Sequence, residues 1–307
     1  MILLFSLLMS FGLVSAQDAG ITYDIKNIPD AYFQDAAQSG RIERVEYTTT
    51  DGYAYQKYTL VYVPYGYDES EANYNVFYVI HGGGGSQQEY FSESNTSVFH
   101  RQLDHMILNG DIEPMIVVAP TYYAPNSFDT GVAASGVAVA SFARELKADI
   151  IPAVESRYRT FAVTTDGAGI TASRDHRAIG GFSMGSVTTW YAFLDALDVF
   201  RWFMPISGDC WVLGTQAGLS NSAGTAKALA DAVPHWGYTA EDFYIYALTG
   251  TNDIAYSMET AQIEAMKAFP ETFQFGTNTF YGLLTGGYHN YPEVRQYIYN
   301  ALPKFFK

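Results

Sequence analysis

Arg177-Ala178-Ile179-Gly180-Gly181-Phe182-Ser183-Met184-Gly185-Ser186-Val187-Thr188-Thr189-Trp190 is the stretch on which the reading of the fold turns. Arg177 to Phe182 has the composition of a short strand, and Ser186 to Leu197 carries helical periodicity. Gly181-Phe182-Ser183-Met184-Gly185 lies between them and is the only G-x-S-x-G in the chain. By itself the pattern is modest evidence. At a strand–turn–helix junction, however, a sharp turn presents the serine hydroxyl above a sheet, and small flanking residues permit the strained backbone.

Outward from this junction, β-rich runs alternate with helical ones. Tyr58 to Val63 alternates, as an outer strand would. Tyr74 to Ile80 and Met115 to Ala119 are nearly continuous apolar runs, the mark of strands covered on both faces. Trp202 to Ile206, Phe243 to Ala247 and Phe280 to Leu284 read as further strands. Helices are expected at Phe142 to Tyr158 (kinked or divided by Pro152), Thr225 to Ala232, Met258 to Ala268 and Pro292 to Phe305. This order predicts an α/β fold, a mostly parallel sheet flanked by helices on both faces, with ligands at the carboxyl ends of the strands. The stretches 122–136 and 164–175, rich in Gly, Ala, Ser and Thr, are expected to be loops over that edge.

Composition narrows the function classes. Residues 1–16 read as a secretory signal, with an apolar run from Ile2 to Met9 and Val14-Ser15-Ala16 at the cleavage site. No other segment is apolar enough to span a membrane, so one domain over residues 17–307 is expected outside the cell. The net charge of −15 argues against nucleic acid as a partner. Cys210 is the only cysteine, which excludes an intramolecular disulfide and a Cys-rich metal site. The 25 tyrosines give mild support to a glycan-facing surface. Asn95-Thr96-Ser97 is a glycosylation sequon or an unused surface loop.

The serine needs an oxyanion site, a base and an acid. His81-Gly82-Gly83-Gly84-Gly85 follows the strand Tyr74 to Ile80, where glycines let backbone N–H groups approach a developing oxyanion. Gly83 is the candidate donor, with Gly82 and Gly84 open, and the N–H of Met184 is its expected partner. No Lys-Ser/Thr follows, so a phosphate loop is excluded. His81 precedes the nucleophile and is expected to brace the loop. Chain order then runs Ser, acid, His. Of the two histidines after Ser183, His289 lies in Gly286-Gly287-Tyr288-His289-Asn290 between the last strand and the last helix. His235 reads as a surface or packing residue. Asp253, closing Thr249-Gly250-Thr251-Asn252-Asp253 after a strand, is the candidate acid, with Asp209 as its rival. Asp231 and Asp242 have capping or surface readings.

Together these motifs resemble carbohydrate esterase family 1, within the α/β-hydrolases, and most of all the feruloyl esterases of plant-cell-wall degraders. Thr171-Ala172-Ser173-Arg174-Asp175-His176-Arg177, Met204-Pro205-Ile206-Ser207-Gly208-Asp209-Cys210-Trp211, Asp253-Ile254-Ala255-Tyr256 and Val294-Arg295-Gln296-Tyr297-Ile298-Tyr299 also fit, so the likeness runs from about residue 40 to the end. The resemblance implies hydrolysis of feruloyl esters on arabinoxylan through an acyl-enzyme, with no metal or cofactor. It makes Ser183 the nucleophile, Asp253 the acid and His289 the base. It also places Trp211 and Ile254 against the phenolic ring, and Tyr122 near the pocket. Cys210 reads as packing, and no docking module is visible. An acetylxylan esterase, a formylglutathione-type thioester hydrolase and an inactive carbohydrate-binding protein on the same scaffold are the competing readings.

Overall fold

In a computed structural model, which describes residues 19–125 and 132–307, nine strands form one sheet. They are β1 (Ile21–Thr22), β2 (Arg41–Thr48), β3 (Gln56–Val63), β4 (Asn75–Ile80), β5 (Met115–Ala119), β6 (Arg177–Phe182), β7 (Trp202–Ile206), β8 (Tyr244–Gly250) and β9 (Thr279–Leu284). Their spatial order is β1-β9-β8-β7-β6-β4-β5-β3-β2. All pairings are parallel except β3 with β5 and β2 with β3. The chain winds outward from β4 to β5 on one side and from β4 to β6 on the other. That reversal makes the carboxyl ends of β4 and β6 the switch point where a crevice opens.

The helices are α1 (Val98–Leu108), α2 (Val132–Glu145), α3 (Ile151–Glu155), α4 (Gly167–Ala172), α5 (Met184–Asp195), α6 (Ala217–Ser220), α7 (Ser222–His235), α8 (Tyr256–Met266) and α9 (Tyr291–Ala301). The central strands read as apolar runs because each feeds two cores. In β4, Val76, Tyr78 and Ile80 join the core under α2, α5 and α7, whereas Phe77 and Val79 join the core under α1 and α9. The expected mostly parallel sheet with helices on both faces is therefore the architecture observed.

Several local expectations are corrected. Tyr58 to Val63 is not the outermost strand, because β2 pairs with it along its whole length and takes the edge. β2 escapes a periodicity reading because Arg41, Glu43, Arg44 and Glu46 lie along it and only Val45 and Tyr47 are buried. The helix expected from Phe142 already begins at Val132, so residues 132–136 are helical rather than loop. A π-helical turn over Leu146–Ile150 joins it to α3. That wider turn precedes Pro152, whose ring has no N–H and would crowd a carbonyl in a regular α-helix. The stretch 164–175 holds α4, capped where Asp166 Oδ1 accepts the N–H of Gly169 at 2.9 Å. The leader 1–16, and residues 126–131 of the expected loop 122–136, lie outside the described residues.

The strand that leads to Ser183 starts from a buried ion pair. Arg177 donates to Glu155 Oε1 at 2.6 Å and Oε2 at 2.9 Å, and to the carbonyls of Ile170 and Val199. Both side chains are about 1% exposed. Arg174 donates to the carbonyls of Leu197, Phe200 and Asp242. The motif before the elbow is thus a staple between loops. Asn95 is exposed in a left-handed turn (φ 58°), and its side-chain oxygen accepts the N–H of Ile42. Among the described residues no helix is long and apolar enough to cross a membrane.

Candidate active site

β6 ends at Phe182 and α5 begins at Met184, so Ser183 alone makes the turn. Its backbone (φ 56°, ψ −115°) lies where side-chain-bearing residues are rarely found, a strain of about 1–3 kcal/mol. Hydrogen bonds over-determine the conformation. The N–H of Ser183 donates to Ile206 O at 2.9 Å, and its carbonyl accepts from Ser186 and Val187. The flanking glycines are obligatory for a steric reason. A Cβ on Gly185 would stand 2.3 Å from Ile80 O, and one on Gly181 would stand 2.7 Å from the same oxygen.

The loop His81–Gly85 leaves β4 beside this turn. The N–H of Gly82 donates to the Tyr291 hydroxyl at 3.1 Å, that of Gly84 to the Tyr123 hydroxyl at 3.0 Å, and that of Gly85 to Gly82 O. Of the four glycine N–H groups in this loop, only that of Gly83 has no acceptor among the described residues, and Gly83 packs against Met184. Met184 opens α5, and a helix leaves its first N–H groups without intrahelical acceptors. Two N–H groups are thereby left for a ligand oxygen. His81 is fully buried, with Nδ1 2.7 Å from Gly82 O and Nε2 2.8 Å from Thr121 Oγ1. Because a carbonyl only accepts, Nδ1 carries the proton and Nε2 accepts. Burial pushes its pKa down to about 4, so His81 is a neutral brace.

Asp253 follows β8, and His289 lies between β9 and α9. His289 Nδ1 is 2.7 Å from Asp253 Oδ1, which also accepts the N–H of Ala255. The carboxylate accepts, so Nδ1 carries the proton and Nε2 keeps its lone pair. The imidazole rests on Phe182, ring centroids 4.4 Å apart, and Asn290 caps the following helix. The rival acids are engaged elsewhere. Asp209 accepts from Trp211 Nε1 at 3.0 Å and from the N–H of Gly218 at 2.7 Å. Asp231 pairs with Lys227, Asp242 accepts from Thr239, and His235 is exposed at the end of α7.

Gly83, Ser183, Met184, Trp211, Ile254 and His289 share the wall of one cavity of about 310 Å³. Trp211 is half-buried and Ile254 is exposed. Tyr122 does not join this wall. It is buried behind His81, ring centroids 4.6 Å apart, and belongs to the core. Thr215, Gln216 and Met258 line the cavity without having been expected. Gln216 has a left-handed backbone (φ 58°), a conformation that its residue type does not announce. Burial pushes the Cys210 thiol up to about 12, consistent with packing.

The Esterase family model matches residues 56–299. The chain belongs to this esterase family. The esterase is 41% identical over 282 residues to endo-1,4-beta-xylanase Y of Acetivibrio thermocellus. That alignment covers 91% of the chain and 24% of the relative, so the esterase spans about a quarter of that protein's length. Among solved structures it is similar to the feruloyl esterase module of Clostridium thermocellum complexed with sinapinate. The TM-score is 0.81 at 38% identity, over 94% of this chain and 95% of that one. The ferulic acid esterase of the anaerobic fungus Anaeromyces mucronatus shares the fold, with a TM-score of 0.68 at 18% identity, over 93% and 98% of the two chains. These findings bear out the resemblance read from the motifs.

Proposed function

We propose that this esterase hydrolyses feruloyl esters on plant cell-wall arabinoxylan, with Ser183 as nucleophile, His289 as general base and Asp253 as its acid partner. One observation carries the proposal. Ser183, His289 and the indole of Trp211 line a single cavity of about 310 Å³, while Asp253 holds the far side of the imidazole. A related module of 38% identity is a feruloyl esterase, which supports the aromatic acyl group. So does the size of the cavity, of which an acetyl group would fill a small part.

In the proposed reaction, Ser183 Oγ attacks the ester carbon as its proton passes to His289 Nε2. Asp253 stabilises the imidazolium without taking the proton. The charge on the carbonyl oxygen meets the N–H groups of Gly83 and Met184, each worth on the order of a hundredfold in rate. Collapse breaks the ester bond, and the sugar alkoxide takes the proton from His289. Water, deprotonated by His289, then attacks the acyl carbon and releases the acid and Ser183. A second groove, of about 380 Å³, is lined by Gly85 at the end of the His81–Gly85 loop and by Gln56, Ser86 and Gln88. Its amides and hydroxyl suit the sugar side of the ester. The apolar leader ending at Val14-Ser15-Ala16 supports action outside the cell.

The test is a substrate panel of methyl ferulate, a feruloylated arabinoxylan oligosaccharide and acetylated xylan, run with the wild type and Ser183→Ala. The aromatic esters should turn over fastest, and Ser183→Ala should abolish turnover of all three. Retained turnover in the variant would assign another nucleophile. Preference for acetylated xylan would make the chain an acetylxylan esterase, and xylan binding without hydrolysis would leave it a binding protein.

A further inference from the structure

A second carboxyl lies behind the candidate acid. Glu259, on α8, is 0% exposed, and among the described residues no Lys, Arg or His pairs with it. Its Oε2 accepts the N–H of Gly208 at 3.2 Å. One turn further along α8, Gln262 Oε1 accepts the N–H of Cys210 at 2.7 Å. From the other side, Ser186 Oγ and Trp190 Nε1 donate to Gly208 O. The segment that carries Asp209 and leads into Trp211 is therefore gripped by α8 on one side and α5 on the other.

The charge balance of this region is one-sided. The titratable groups around Glu259 are the carboxyls of Asp253 and Asp209 and the hydroxyls of Tyr281 and Tyr297. Glu293 approaches Asp253 and Tyr297 from α9, and His289 reaches the cluster only through Asp253. Buried carboxylates without a cation cannot all stay ionised. Burial, then the charge of Asp253, raise Glu259 well above the usual carboxylate range. Two buried oxygens, Asp253 Oδ2 and Glu259 Oε1, have no hydrogen-bonding partner among the described residues. One proton between the two groups answers both needs.

We propose that Glu259 is a positioning residue held as a neutral acid, whose Oε2 pins Gly208 and the Trp211 wall and whose proton is directed to Asp253. It rests on Asp253 being the acid partner of His289. The negative charge in the cluster then stays on Asp253, where the imidazolium needs it. Glu259 touches no substrate; it acts through the Gly208–Trp211 segment and Asp253.

Infrared difference spectra between the full-length wild type and Glu259→Gln at neutral pH read the proton directly. The wild type should show the C=O stretch of a protonated carboxyl that the variant lacks. On methyl ferulate, Glu259→Leu should lose about tenfold or more in kcat/KM by leaving the Gly208 N–H unsatisfied. The amide of Glu259→Gln should rescue most of that loss, with the acid limb of the kcat/KM–pH profile where the wild type has it. A carboxylate signal in place of the acid, or an acid limb moved to lower pH in Glu259→Gln, would show an ionised Glu259 and overturn the proposal. A wild type that hydrolyses no ester would sink the esterase reading, while the infrared band would still decide the protonation of Glu259.

Discussion

Trp211 donates its indole N–H to Asp209 at 3.0 Å, so the acid that most resembles Asp253 in its sequence setting is committed to holding the cavity wall. Its other oxygen receives the N–H of Gly218. Asp253 Oδ1 instead faces His289 at 2.7 Å. Asp253→Asn should therefore lower kcat on methyl ferulate by about 10³–10⁴-fold, because an amide no longer fixes the tautomer or stabilises the imidazolium. Asp209→Asn should act mainly on KM for the aromatic ester. Steady-state kinetics of the two variants check the assignment, and a collapse of kcat in Asp209→Asn alone would exchange their roles.

The indole of Trp211 is the largest apolar face beside Ser183, and its removal should be felt in proportion to the acyl group. Trp211→Ala should lower kcat/KM for methyl ferulate by about tenfold or more, since an aromatic pair contributes about 0.5–1.5 kcal/mol beyond the area it buries. Turnover of p-nitrophenyl acetate should change far less. Equal losses on both esters would mean that Trp211 supports the fold without selecting the substrate.

Arg177 and Glu155 are buried together, and the bidentate contact is reinforced by the Tyr78 hydroxyl. Removing one partner leaves an uncompensated charge. Arg177→Met should destabilise the protein by about 3–5 kcal/mol in urea unfolding. Pairing it with Glu155→Leu should restore a large part of the loss, because the isolated charge is then gone.

His81 couples stability to pH. Its folded pKa of about 4 lies below the unfolded value of 6.5. Between those values the unfolded chain binds the extra proton, so stability is complete above pH 6.5 and falls as pH drops towards 4. The loss from this one group approaches about 3 kcal/mol at the acid end. Calorimetry from pH 7 to 4 should show a shallower decline in His81→Asn, which keeps a donor for Gly82 O and does not titrate. An unchanged decline would place the acid sensitivity elsewhere.

Much of the fold was legible because its signals are local. β4 and β5 read as buried strands since residues on both faces of each are apolar, and each face meets its own core. β2 was illegible because charged residues lie along it and its partner, not its composition, makes it a strand. The early start of α2 was hidden by a run of Gly, Ala and Ser that resembles a loop in composition. Tyr122 is a case of a different kind. A segment near a pocket says nothing about which way one ring points, and this ring turns to His81.

Sequence alone determined the turn at Ser183, because a strand, a glycine-flanked serine and a helix are contiguous and their strain is local. It also set the order of Ser183, Asp253 and His289 along the chain. Tertiary structure alone decided which aspartate faces His289, because Asp209 and Asp253 both follow strands and differ only in the partners that folding brings to them. It decided likewise for Gly83, whose neighbours' N–H groups are taken by Tyr291 and Tyr123 from distant parts of the chain. Four consecutive glycines are equivalent until two distant hydroxyls and the carbonyl of Gly82 occupy the N–H groups of all but Gly83.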